Sequence, residues 1–112
     1  MLNVRRGLLT IVAVASVGCA SVDVTKTAQG SFSPTDPNRV EVLKTRPERA
    51  FQELGTITVS GFSSSETAKM HNAIREKAAP LGANAVILTE EGLVQRTFGM
   101  DRWATGVAIR FR

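Results

Sequence analysis

One cysteine cannot close an intramolecular disulfide, so with Cys19 as its only thiol the chain must hold its fold by packing alone. Long apolar runs are equally scarce. The stretch from Gly7 to Val17 is too short to cross a bilayer, which takes about 20 apolar residues, and no later segment is apolar enough to do so. Clustered positive charge is missing as well. Of 14 basic residues, Arg5 and Arg6 precede the apolar stretch, leaving 12 against 10 acidic residues in the rest of the chain. Lys44, Arg46, Arg49, Arg75, Lys77, Arg96, Arg102 and Arg110 are scattered among Glu41, Glu48, Glu53 and Glu76. This mixed-charge pattern lacks the basic, aromatic-laced patch that binds nucleic acid, and no nucleic-acid partner is expected.

Catalytic constellations are also wanting. The single histidine, His71, has Thr67 four residues before it and Arg75 four after, so helical spacing supplies neither a nucleophile nor an orienting carboxylate. No recurring His, Cys or carboxylate spacing marks a metal site. The glycines spell neither a phosphate loop nor a dinucleotide fingerprint. The run Ser63-Ser64-Ser65-Glu66 fits a helix capping box better than a nucleophile, because no base is placed to activate a serine. Asn84 reads as a turn residue, Trp103 as core or interface, and Glu90-Glu91 as an exposed turn. No catalytic residue, metal site or cofactor is therefore expected, and the chain reads as a non-enzyme.

What the chain does carry is an N-terminal targeting pattern. Arg5 and Arg6 form a basic region, Gly7–Val17 an apolar region, and Gly18 a small residue directly before Cys19. This resembles a bacterial lipoprotein signal, which implies that Cys19 is the lipidation site and the mature N-terminus. Ser16 stands where the lipoprotein box usually has an aliphatic residue, and Ala13-Val14-Ala15 offers an A-x-A site for ordinary signal cleavage as the alternative. By resemblance to Gram-negative sorting rules, Ala20 in place of an aspartate implies the inner leaflet of the outer membrane, with the domain facing the periplasm. Stable anchoring needs more than one acyl chain, since each buried methylene contributes about 0.8 kcal/mol and a single chain binds only marginally.

Residues 20–38 are rich in Ser, Thr, Asp, Gln and Pro, a composition that does not offset the entropy of ordering, so a flexible tether is expected over 19–38 with Phe32 alone able to dock. A domain is expected over 39–112. It begins with a short strand at Val40–Leu43 and a second at Phe51–Ser60, where Gly55 marks a bulge or a close backbone approach. A helix is predicted over 64–79 with Met70, Ile74 and Ala78 on one face, ended by Pro80 and closed by Gly82. Ala83–Leu88 reads as a buried strand and Leu93–Phe98 as another. In the last strand Trp103, Thr105, Val107, Ile109 and Phe111 alternate with Ala104, Gly106, Ala108 and Arg110. The small-residue face of that strand suggests close packing by another chain. Together these elements predict a two-layer α+β domain, one helix on a mostly antiparallel sheet of four to five strands.

Val40-Glu41-Val42-Leu43, Pro47, Phe51-Gln52-Glu53-Leu54-Gly55 and Leu81-Gly82-Ala83-Asn84-Ala85-Val86-Ile87-Leu88 together resemble a pattern of small bacterial envelope proteins, including the YbjQ-like family and the Rcs-pathway stress-sensor lipoproteins. The resemblance implies fold more than activity. The disulfides that shape the Rcs-type sensor have no counterpart after Cys19, and the heavy-metal binding ascribed to YbjQ-like proteins would have only His71 and methionines to use. The expectation is a lipid-anchored, non-enzymatic envelope protein that acts through contacts with other envelope proteins in envelope maintenance or stress sensing. The alternative is a homo-oligomeric ligand-binding or scaffold module of the periplasm.

Overall fold

Alternating buried and exposed side chains organise a five-stranded sheet with one helix on one face, described over residues 20–112 of a computed structural model. The strands are β1 (Ser21–Lys26), β2 (Glu41–Leu43), β3 (Phe51–Ser63), β4 (Ala85–Gln95) and β5 (Met100–Phe111). Their order is β1-β3-β5-β4-β2; every neighbouring pair is antiparallel except β2 with β4. The helix α1 (Thr67–Ala78) connects β3 to β4, and β5 arrives last and inserts between them, giving a split β-α-β unit. The α+β class, the single helix and the mostly antiparallel sheet are as the periodicity predicts.

The core lies between α1 and one sheet face. Met70, Ile74 and Ala78, one turn apart along α1, pack on Leu54, Ile57, Val59 and Phe62 of β3, Val86 and Leu88 of β4, and Ala104 and Ala108 of β5. The small side chains of β5 make room on this face for larger ones from its neighbours: a Cβ at Gly106 would meet the Val86 Cγ1 at 2.6 Å and the Ile87 carbonyl at 3.0 Å, both on β4. The small-residue face is thus spent inside the molecule and is not open to another chain.

Three sequence expectations change. The tether expected over 19–38 contains β1, which pairs with β3 from Ser21 opposite Ser60 to Lys26 opposite Gly55. Composition gives no sign of it, because β1 is an edge strand with only Val22 partly buried against the core, so its remaining positions are free to be polar. Phe32 does dock, against Gly82, with the Arg110 guanidinium 5.0 Å from its ring centre. Second, Glu90-Glu91 is not a turn. The strands expected at 83–88 and 93–98 are one strand, β4, whose register slips between Leu88 and Glu90. Third, the helix starts at Thr67 rather than Ser64, after a hydrogen-bonded turn in which the Glu66 amide donates to the Ser63 carbonyl. Pro80 and Gly82 act as expected: α1 tightens into a 3-10 turn at Ala79–Leu81, and Gly82 closes it at φ +91°.

Candidate functional site

Strand directions bring four chain segments to one end of the sheet: the start of β1, the end of β3, the end of β4 and the start of β5. Ser21 pairs with Ser60, Ser63 with Asp101, and Gln95 with Met100. An open cleft of about 720 Å³ at this end is lined by Ala20, Gly61, Phe62, Ser63, Glu66, Lys69, Arg96 and Asp101. Cys19, the expected lipidation site, lies outside the described residues; Ala20, its neighbour, is in this lining.

The most exposed apolar group of the described residues also belongs to this end. Beyond the level of Ser63, β4 and β5 continue without a flanking strand and turn at Arg96-Thr97-Phe98-Gly99. The Arg96 amide donates to the Gly99 carbonyl at 2.9 Å, and Gly99 takes φ +88°, the left-handed geometry that such a turn needs. Arg96 Nε donates to Asp101 Oδ2 at 3.0 Å and braces the hairpin across its base. Phe98 at the tip is 93% exposed, and Leu93, Val94 and Met100 are exposed along the hairpin. Trp103 marks the root of the hairpin, its indole lying across Gly92, where a Cβ would meet Nε1 at 2.9 Å.

Polar contacts hold the neighbouring turn. Glu66 Oε1 accepts from the Ser63 amide at 2.9 Å, the return half of the capping box, while the Ser63 hydroxyl turns to Ser65 instead of a helix amide. That amide holds the Glu66 carboxyl below the usual range, with Lys69 acting in the same direction. Arg102 on β5 donates from Nε and Nη2 to the Ser64 carbonyl at 3.3 and 2.9 Å and pins the turn to the sheet. In the sequence Arg102 is one of several scattered charges, and its reach to a backbone acceptor 38 residues away leaves no local signal.

The other residues considered from sequence fall elsewhere. Asn84 joins strands: its amide donates to the Ile109 carbonyl, its carbonyl accepts from Glu41, and its Oδ1 accepts from the Phe111 amide. His71 is partly buried on α1 with Nε2 shielded and without a hydrogen-bond partner, and burial pushes its pKa down, with Arg75 adding to the effect. Among the described residues no three His, Cys, Asp or Glu side chains converge as a metal site, and no helix is long and apolar enough to cross a membrane.

Fold and site together define a small α+β domain whose β4–β5 turn lies at the same end of the sheet as the start of β1. The chain matches no protein-family model and no curated protein. Among solved structures it is similar to the crystal structure of a Francisella virulence factor, FvfA, with a TM-score of 0.60 and 16% identity over 80% of this chain and 97% of that one. Likeness at this identity is one of fold.

Proposed function

We propose that this chain is a lipid-anchored, non-enzymatic lipoprotein of the cell envelope, held at Cys19 in the inner leaflet of the outer membrane and facing the periplasm. It acts through contacts with other envelope proteins in envelope maintenance or stress sensing. The observation that carries the reading is the order basic pair, apolar stretch, Gly18, Cys19. Because β1 begins at Ser21, a lipid on Cys19 would join a folded strand with only Ala20 between.

The test is the intact mass of the protein extracted from a bacterial envelope, beside a Cys19→Ala variant. The expected result is a chain beginning at Cys19 that carries acyl chains, with the modification absent from the variant. An unmodified chain cut after Ala15 would refute the anchor and make the domain a free periplasmic one.

A further inference from the structure

We propose that the β4–β5 hairpin is a second membrane contact, with Phe98 seated in the interface of the lipid leaflet that holds Cys19. The inference rests on the lipoprotein reading and says how the anchored domain is oriented.

Two lengths carry it. From Ser21 to Cys19 the chain reaches at most about 7 Å, two residues at full extension. The hairpin reaches further. Ser21 pairs with Ser60 beside the register slip of β3, which sets it level with Trp103, between the partners Ala104 and Arg102. From Trp103 to Met100, where β5 begins, the strand rises three residues, about 10 Å at the usual strand spacing, and the turn carries Phe98 beyond that. The tip thus projects past the point that Cys19 can reach. With the strands pointing at the membrane, a lipid on Cys19 draws the domain down until the hairpin meets the leaflet.

The chemistry of the tip suits that occupant. Phe98 is 93% exposed at the tip, with Met100 exposed beside the turn and Val94 and Leu93 exposed further along the hairpin, a combination that is unfavourable in water and suited to the boundary between headgroups and acyl chains. The segment Gln95–Met100 carries no acidic residue; its one charge is Arg96, whose guanidinium pairs with Asp101 at the hairpin base. An aromatic residue on a narrow turn, flanked by an arginine, can enter the interface without burying an unpaired carboxylate.

The experiment uses the full lipidated chain, purified from envelopes and reconstituted in vesicles of phosphatidylethanolamine and phosphatidylglycerol. A Phe98→Cys variant carries an environment-sensitive fluorophore, the Cys19 thiol being blocked by its own diacylglyceryl thioether. A Glu48→Cys variant, exposed in the β2–β3 connection at the far end of the sheet, is the control. The label at position 98 is expected to shift to the blue and lose most of its emission to lipids bearing a quencher, while the label at 48 does neither. Acylated, vesicle-bound protein whose label at 98 stays in water overturns the hairpin contact and leaves the anchor standing. A label at 98 that shifts but escapes the lipid quencher assigns the tip to a second copy or another protein, and also overturns it. An unacylated mass removes the anchor, and the hairpin inference with it.

Discussion

The fold makes the His71 imidazole harder to protonate. Its Nε2 is shielded without a partner, and burial, reinforced by Arg75, Lys44 and Arg102 and opposed by Glu91, holds its folded pKa below the usual value of about 6.5. The sign follows from linkage. Above pH 7 the ring is neutral both folded and unfolded and has no effect. As the pH falls through about 6.5, the unfolded chain takes up a proton that the folded one resists, so stability declines. Urea midpoints measured from pH 8 to pH 5.5 should therefore fall more steeply for the native chain than for His71→Gln. Parallel curves would mean that the imidazole is solvated after all. Glu66 has the opposite charge but the same sense of shift, and its window lies lower: its stabilising contact with the Ser63 amide is present above its unfolded pKa of about 4.3 and is lost as the pH falls below it. The two groups are thus separable by pH range.

Among the elements, β1 depends on one glycine. A Cβ at Gly55 would lie 2.6 Å from the Thr25 carbonyl and 3.1 Å from the Lys26 Cα, so the strand can approach β3 only because no side chain stands there. Gly55→Val is expected to peel the end of β1 from the sheet at a cost of about 1–3 kcal/mol, by overpacking at a site that does not relax. Amide exchange would report it: protection across Ser21–Lys26 should fall, while α1 and β5 keep theirs. The close approach at Gly55 is legible in the sequence, but the strand it receives is not. Elements that bury a whole face announce themselves by period, as α1 does through Met70, Ile74 and Ala78, and β5 through its strict alternation. Edge elements do not. β1 buries little, and β4 beyond Leu88 has lost its β2 neighbour, so its outer positions carry Thr89, Glu90 and Glu91, which look like a turn and guard an open edge. The hairpin was hidden for the same reason. Gln95, Arg96, Thr97 and Phe98 are all exposed, and where no face is buried no alternation is selected.

At the scale of the whole molecule, one helix covers only one face of the sheet, and the opposite face decides how the domain meets others. Midway along that face Thr58 and Thr105 are in side-chain contact at 3.3 Å, with Trp103 between them and the hairpin turn. Toward the other end it holds a second apolar cluster, Ala85, Ile87 and Ile109, bordered by Leu43, Phe51, Val107 and Phe111. The β2–β3 connection roofs this cluster with charge: the Arg46 guanidinium lies 4.7 Å from the Phe51 ring centre and that of Arg49 lies 4.2 Å from Phe111. Each such contact is worth about 0.5–1 kcal/mol at an exposed site, and the arginine stems also cover apolar surface that would otherwise be wet. This arrangement separates the two readings of function. If the domain works as a single copy, the arginines keep the face dry and closed, and Arg46→Ser with Arg49→Ser should cost about 1–2 kcal/mol and make the protein self-associate as its concentration rises. If the domain is instead a homo-oligomeric module joined through this face, the native chain already associates, and the same double change should weaken that association. Sedimentation of both proteins over a range of concentrations gives opposite trends in the two cases. A membrane-bound domain with its hairpin in the leaflet would hold this arginine-roofed end farthest from the lipid, where envelope proteins can reach it, so the monomeric trend is the one expected.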